Sequence, residues 1–257
     1  MVAKRCGFLL AVLCGNLLSA NLTAQEFRVE TEVFIADKVE PVSESLTIFS
    51  GDVVYDFSIG GSEEITIFDI NRGRIALLDP RQQLKSEVTT AELLEFCDAI
   101  KNRTANERDA SLFAPLFQQT FDEERSFITL TSDRMIYAAK GTVPKQPLAA
   151  NRFQQFADWY ARLNALRPGN LPPFGRIELN KSLAERNLIP LEIERTLVVD
   201  RPIADKKVVL RSEHVATWLI SNTDRKRIET AGNHLSKFRK VSPKEYWQTE
   251  RVAVKSK

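Results

Sequence analysis

Cysteine and histidine are nearly missing from this chain, with three and two residues among 257. These residue types supply most thiolate and imidazole metal sites, so a disulfide scaffold or a zinc site built on four thiolates is excluded. Ten glycines and eleven prolines leave no room for a collagen-like or low-complexity protein. The sequence contains no HExxH, CxxC, GxSxG, Walker or GxGxxG pattern. No apolar run reaches the roughly twenty residues a membrane-spanning helix needs. Neither charge sign dominates, since 36 basic and 34 acidic residues leave a net +2. What remains is ordinary globular composition, 43% apolar and 27% charged.

The first residues read as an address. Lys4 and Arg5 precede the apolar run GFLLAVLCGNLL, and small and polar residues follow from Ser19 to Ala24. A basic segment, a short apolar segment and a small residue at the cut make a secretory signal peptide. The cut is expected after Ala24, with Ala20 as the alternative. The protein is then exported to a periplasm, a cell surface or the medium. Cys6 and Cys14 leave with residues 1–24, and only Cys97 remains, on the apolar stripe of an expected helix. It reads as a small buried hydrophobe.

The rest, residues 25–257, reads as one α+β domain with a basic C-terminal helix and tail. Phe27, Val29, Val33 and Ile35 alternate with polar residues, a period of two. Further strands are expected at Ser45–Phe49, Val53–Ser58, Glu64–Ile70, Arg74–Leu78 and Gln82–Val88. The turns between them are short and rich in Gly, Asn, Asp and Pro, which dictates an antiparallel meander. Thr89 and Glu92 form a capping box ahead of a helix with the stripe Leu93, Phe96, Cys97 and Ile100. Residues 102–122 read as loop or irregular helix. Strands are expected at Ser126–Thr131 and Arg134–Ala139, and a helix at Ala149–Leu166. A two-turn helix from Asn180 to Asn187, strands Pro190–Val199 and Lys207–Ile220, and a last helix Asn222–Lys240 complete the chain. The count points to a curved antiparallel sheet, a half-barrel, with helices packed on one face.

The segment Gly73–Val88 reads GRIALLDPRQQLKSEV. A turn glycine, an apolar strand, an Asp-Pro turn and a Gln-bearing strand follow one another. This resembles the outer-membrane lipoprotein carrier (LolA-like) superfamily. The resemblance implies a half-barrel around an apolar cavity, lidded by helices, that carries lipid or acyl chains. It transfers no ligand-contacting residue to this chain.

Three groups of residues are candidates for function. An apolar-ligand or core face is expected from Phe113, Phe117, Phe153, Phe156, Tyr160 and Trp218. His214 neighbours Glu213, an arrangement that suits a general base oriented by a carboxylate, or a half-buried strand histidine with one satisfied hydrogen bond. The third group is a basic patch. Residues 201–257 carry 14 basic and 6 acidic side chains, while residues 25–200 carry 20 and 28. Lys206, Lys207, Arg225, Lys226, Arg227, Lys237, Arg239 and Lys240 could meet an anionic surface or an acidic protein partner, or be complemented by the acidic remainder. No cofactor, metal or nucleic acid is expected. The first expectation is an exported, non-enzymatic binding or carrier protein for a lipid or other apolar ligand. The second is an envelope interaction protein docking through its basic region. The third is an enzyme with His214 as base.

Overall fold

The computed structural model describes residues 26–61, 63–103, 107–199 and 206–248. The expected signal segment, with Cys6 and Cys14, lies outside the described residues. The first six strands form the expected meander: β1 (Phe27–Ile35), β2 (Ser43–Ser50), β3 (Val53–Ile59), β4 (Ile65–Asp69), β5 (Arg74–Asp79) and β6 (Leu84–Thr89). Helices α1 (Thr90–Arg103) and α2 (Glu107–Phe113) lead into β7 (Gln118–Asp122), β8 (Phe127–Thr131) and β9 (Met135–Thr142). Then come α3 (Ala149–Ala165), α4 (Phe174–Ala184), β10 (Ile189–Val199) and β11 (Lys206–Thr217). α5 (Asn222–Lys237) and β12 (Arg239–Lys240) follow.

All twelve strands join one sheet in the order β12-β6-β5-β4-β3-β2-β1-β11-β10-β9-β8-β7. Every neighbouring pair is antiparallel except β12 beside β6. The sheet is curved and does not close into a barrel, and the α+β class read from the sequence is the one adopted. β1 is the seam, because it pairs with β2 on one edge and with β11 on the other. Among the described residues no helix is long and apolar enough to cross a membrane.

Alternation along the strands sorts side chains to two faces. The inner face carries Phe27, Phe49, Val54, Phe68, Ile75 and Val88, which pack with α1 and α3 into one core. The outer face of β2 to β5 carries Leu46, Ile48, Phe57, Ile65, Ile67, Ala76 and Leu78, and these pack with Ala231, Ile228 and Leu235 of α5. Helices therefore cover both faces, where the sequence reading put them on one. The sequence mark of this is β5, whose Ile75-Ala76-Leu77-Leu78 run is buried and apolar where a half-solvated strand would alternate. A third cluster, around Ile128, Met135, Tyr137 and Ile193, is covered by α4 through Leu179 and Leu183.

Three boundaries differ from the sequence reading. α4 begins at Phe174 behind Pro173, which offers no side-chain cap. Asn180 lies inside this helix rather than at its start. β7 forms within the segment read as loop, and all five of its residues are exposed, so it carries no apolar alternation. α5 stops at Lys237, and Arg239–Lys240 turn into a strand beside β6. The two capping boxes explain the helix starts. Thr89 and Glu92 exchange bonds of 2.7 and 3.1 Å ahead of α1, and Ser221 and Asp224 do so at 2.8 and 3.1 Å ahead of α5.

Candidate functional site

The inner face changes character from one end of the strands to the other. Its first lateral row, Phe27–Phe49–Val54–Phe68–Ile75–Val88, is wholly apolar and paired strand to strand. The second row reads Ala216–Val29–Thr47–Asp56–Thr66–Leu77. The third is polar: His214–Thr31–Ser45–Ser58. The apolar row lies under α3. The polar rows form the floor of a cleft of about 680 Å³ between the sheet and α3–α4. That volume is in the range of pockets that hold small organic ligands.

One wall of the cleft is aromatic. Phe153, Phe156, Ala157 and Tyr160 project from α3 at helical spacing. Phe156 is clamped edge-on by Phe49 at 5.6 Å and Phe68 at 5.1 Å, so the wall is fixed to the core beneath it. Leu171, Ile193, Leu197 and Leu210 line the part toward α4 and β10.

The floor holds ionisable groups at both ends. On the β3 side, Asp56 is 6% exposed and accepts a hydrogen bond from Thr47 Oγ1 at 2.7 Å. Burial pushes its carboxyl up to about 6; the hydroxyls of Thr47 and Ser45 oppose the rise and the charge of Glu64 adds to it. Glu64 accepts from Arg167 at 2.6 Å and from the Tyr246 hydroxyl at 3.2 Å. On the β10 side stand two guanidinium groups, Arg195 and Arg176, the latter reaching in from α4. Arg176 Nε donates to Asn180 Oδ1 at 2.9 Å, and Asn180 donates onward to Asp158 at 2.8 Å. Burial lowers the pKa of Arg176, and the neighbouring charge of Arg195 adds to the lowering. Tyr137 lies next to Arg195 by register, and burial raises its hydroxyl pKa.

His214 lies in the middle of the floor, 7% exposed. Its Nδ1 is 3.0 Å from Thr31 Oγ1 and its Nε2 is 3.0 Å from Ser212 Oγ. Burial, helped by the charge of Arg176, drives its pKa down to about 3. The ring is therefore neutral near pH 7, with one nitrogen donating and the other accepting. The expected carboxylate orienter is not there: Glu213 faces outward and pairs with Arg211, because adjacent strand residues point to opposite faces. A base this weak gives little driving force for proton abstraction near neutrality.

Phe153, Phe156 and Tyr160 of the expected apolar face line the cleft. The other three lie outside its lining. Trp218 packs on Phe27 at 5.6 Å in the first core, and Phe117 meets Tyr137 at 6.3 Å in the α4 cluster. Phe113 is half-buried at the end of α2. Cys97 is free and buried.

Four of the eight residues of the basic patch are answered within the molecule. Arg225 pairs with Glu26 at 2.6 Å, Lys240 with Glu87 at 2.5 Å, Arg239 with Glu245 at 3.4 Å and Arg227 with Asp224 at 3.6 Å. Lys207, Lys226 and Lys237 are exposed, and the side chain of Lys206 lies outside the described residues.

Sequence reasoning missed Asp56, Arg176 and Arg195. A signal for the floor was nonetheless present: Thr31, Thr47, Asp56, Thr66 and His214 occupy inward positions where the alternation calls for apolar side chains. Compared with protein-family models and with curated proteins, the chain matches none.

Proposed function

We propose that this protein is an exported carrier that holds an amphiphile in the cleft between its curved sheet and α3–α4. The observation that carries the reading is the cleft itself, about 680 Å³, with an aromatic wall on one side and a polar floor on the other. A core built only for stability fills such a space with side chains. Here the apolar row of the sheet is packed against α3 while the polar rows beside it face open volume, which suits a ligand with an apolar body and polar groups. The Gly73–Val88 segment, similar to the LolA-like carriers, agrees with this reading, and so does the signal-like start of the chain.

The test is displacement of a fluorescent fatty acid from delipidated protein, with native mass spectrometry of the protein as first purified. Micromolar displacement and a co-purifying amphiphile are the expected results. If no amphiphile binds at tens of micromolar, the carrier reading is wrong. Export is checked separately, by intact mass of the protein recovered from outside the cytoplasm. The mass of a chain beginning at Gln25 is expected.

A further inference from the structure

The two ends of the cleft differ in charge. Asp56 and Glu64 stand on or next to β3 and β4, with Arg167 paired to Glu64, whereas Arg176 and Arg195 stand on α4 and β10. Asp56 on β3 and Arg195 on β10 are four strand steps apart in the sheet, roughly 19 Å along the floor at about 4.8 Å per step. Among the described residues, the ion pairs formed by carboxylates include neither Arg176 nor Arg195. Asp158 meets Arg176 through the Asn180 amide and by its charge, without a direct hydrogen bond. Arg195 keeps its Nε buried without a hydrogen-bond partner. Two guanidinium groups thus line one cleft, Arg195 beside the Tyr137 hydroxyl and Arg176 within reach of the Asp158 charge, and neither holds a carboxylate in a direct ion pair. Buried cations are normally paired, and an orphaned buried donor is costly.

We propose that Arg176 and Arg195 form the headgroup end of the cleft and bind a carboxylate or phosphate carried on an apolar tail. The inference rests on the carrier reading above. Guanidinium groups present forked donors that match the two oxygens of a carboxylate or phosphate. The neutral ring of His214 beside them adds no competing anion. The tail follows the apolar lining, Leu210 and Ile193 on the sheet and Phe153 and Phe156 on α3. At the other end Arg167 is already paired with Glu64 and the Asp56 carboxyl disfavours an anion, which fixes which way round the ligand lies.

The experiment uses purified, delipidated protein and ligands of matched tail: dodecanoate, dodecyl phosphate, glycerol monododecanoate and dodecyltrimethylammonium. Inorganic phosphate serves as the tail-less control. The anionic ligands are expected to bind about 10-fold or more tighter than the neutral one, and the cation weakest, since a hydrogen bond to a charged group is worth about that factor. Arg195→Gln and Arg176→Gln are each expected to weaken the anionic ligands about 10-fold more than the neutral one, so that the advantage of the anions is lost. The comparison within the unaltered protein stands even if a variant fails to fold. Equal binding of anionic, neutral and cationic ligands overturns the headgroup site and leaves the carrier reading in place. Binding of inorganic phosphate as tight as dodecyl phosphate overturns the requirement for a tail. If none of the tailed ligands binds, the site falls together with the carrier reading.

Discussion

Asp56 and His214 share a floor and respond to protons in opposite directions. Folding raises the Asp56 pKa from its ordinary 3.8 to about 6, so between those values the folded state holds a proton that the unfolded state has lost. The stability from this group is fullest below about 3.8 and declines as pH rises to about 6. Above that, the buried carboxylate costs about 3 kcal/mol. His214 falls from 6.5 to about 3, so here the unfolded state takes the proton first. Its stability is whole above 6.5 and is lost as pH falls toward 3. Across the shared window the two slopes oppose each other. Asp56→Asn is expected to gain about 1–3 kcal/mol at pH 7.5 and nothing near pH 4, leaving a steeper acid loss. His214→Gln is expected to flatten that acid loss. Urea midpoints measured from pH 4 to 8 on both variants decide it. A gain for Asp56→Asn that is the same at every pH contradicts the account.

At the scale of elements, one tight fit with no room to give lies where β9 meets the connection from α4 to β10. A Cβ added at Gly141 would stand 2.9 Å from Leu188 Cβ and 3.3 Å from Leu183 Cδ2. Leu188 Cβ is anchored to backbone and cannot swing aside, so β9 and the α4–β10 connection have to part. Gly141→Ala is expected to cost about 1–3 kcal/mol and to weaken ligand binding, because α4 carries Arg176. Chemical denaturation and ligand displacement read the two effects, and a stable variant with unchanged binding refutes the coupling. Elements were legible in the sequence where local chemistry set them. Short turns fixed the β1–β6 meander, and Thr89–Glu92 fixed the start of α1. They were illegible where context decided: β7 is exposed along its whole length, and α4 starts behind a proline with no side-chain cap. The site was less legible still. Asp56 meets Thr47 and Thr66, and Tyr137 meets Arg195, only through strand register, which no single segment encodes.

Over the whole molecule, the net charges of opposite sign in residues 25–200 and 201–257 become contacts. Glu26 and Glu87 reach Arg225 and Lys240 across the fold. Exposed pairs of this kind are screened by solvent and contribute little, so they orient the C-terminal region more than they hold it. The hold comes from Tyr246, 3% exposed within the first core, with Trp247 packed beside it. Ending the chain at Val241 removes both rings and the hydroxyl on Glu64, and is expected to cost about 3–5 kcal/mol. Thermal melts check the loss, and a truncated chain that melts with the full one excludes it. The same truncation removes one partner of Glu64 at the acidic end of the cleft and leaves it with Arg167.

The seam at β1 also governs the order in which the fold can be made. Arg28 on β1 and Asp224 at the start of α5 are joined at 3.2 Å yet stand 196 positions apart. A ribosome delivers β1 beside β2 early and its other partner, β11, almost last. The two meanders can each assemble from local pairings, but one ladder must wait for nearly the entire chain. Closing so long a loop is slow, so the β1–β11 ladder at the centre joins two meanders formed before it, and only β12 is added to an edge later.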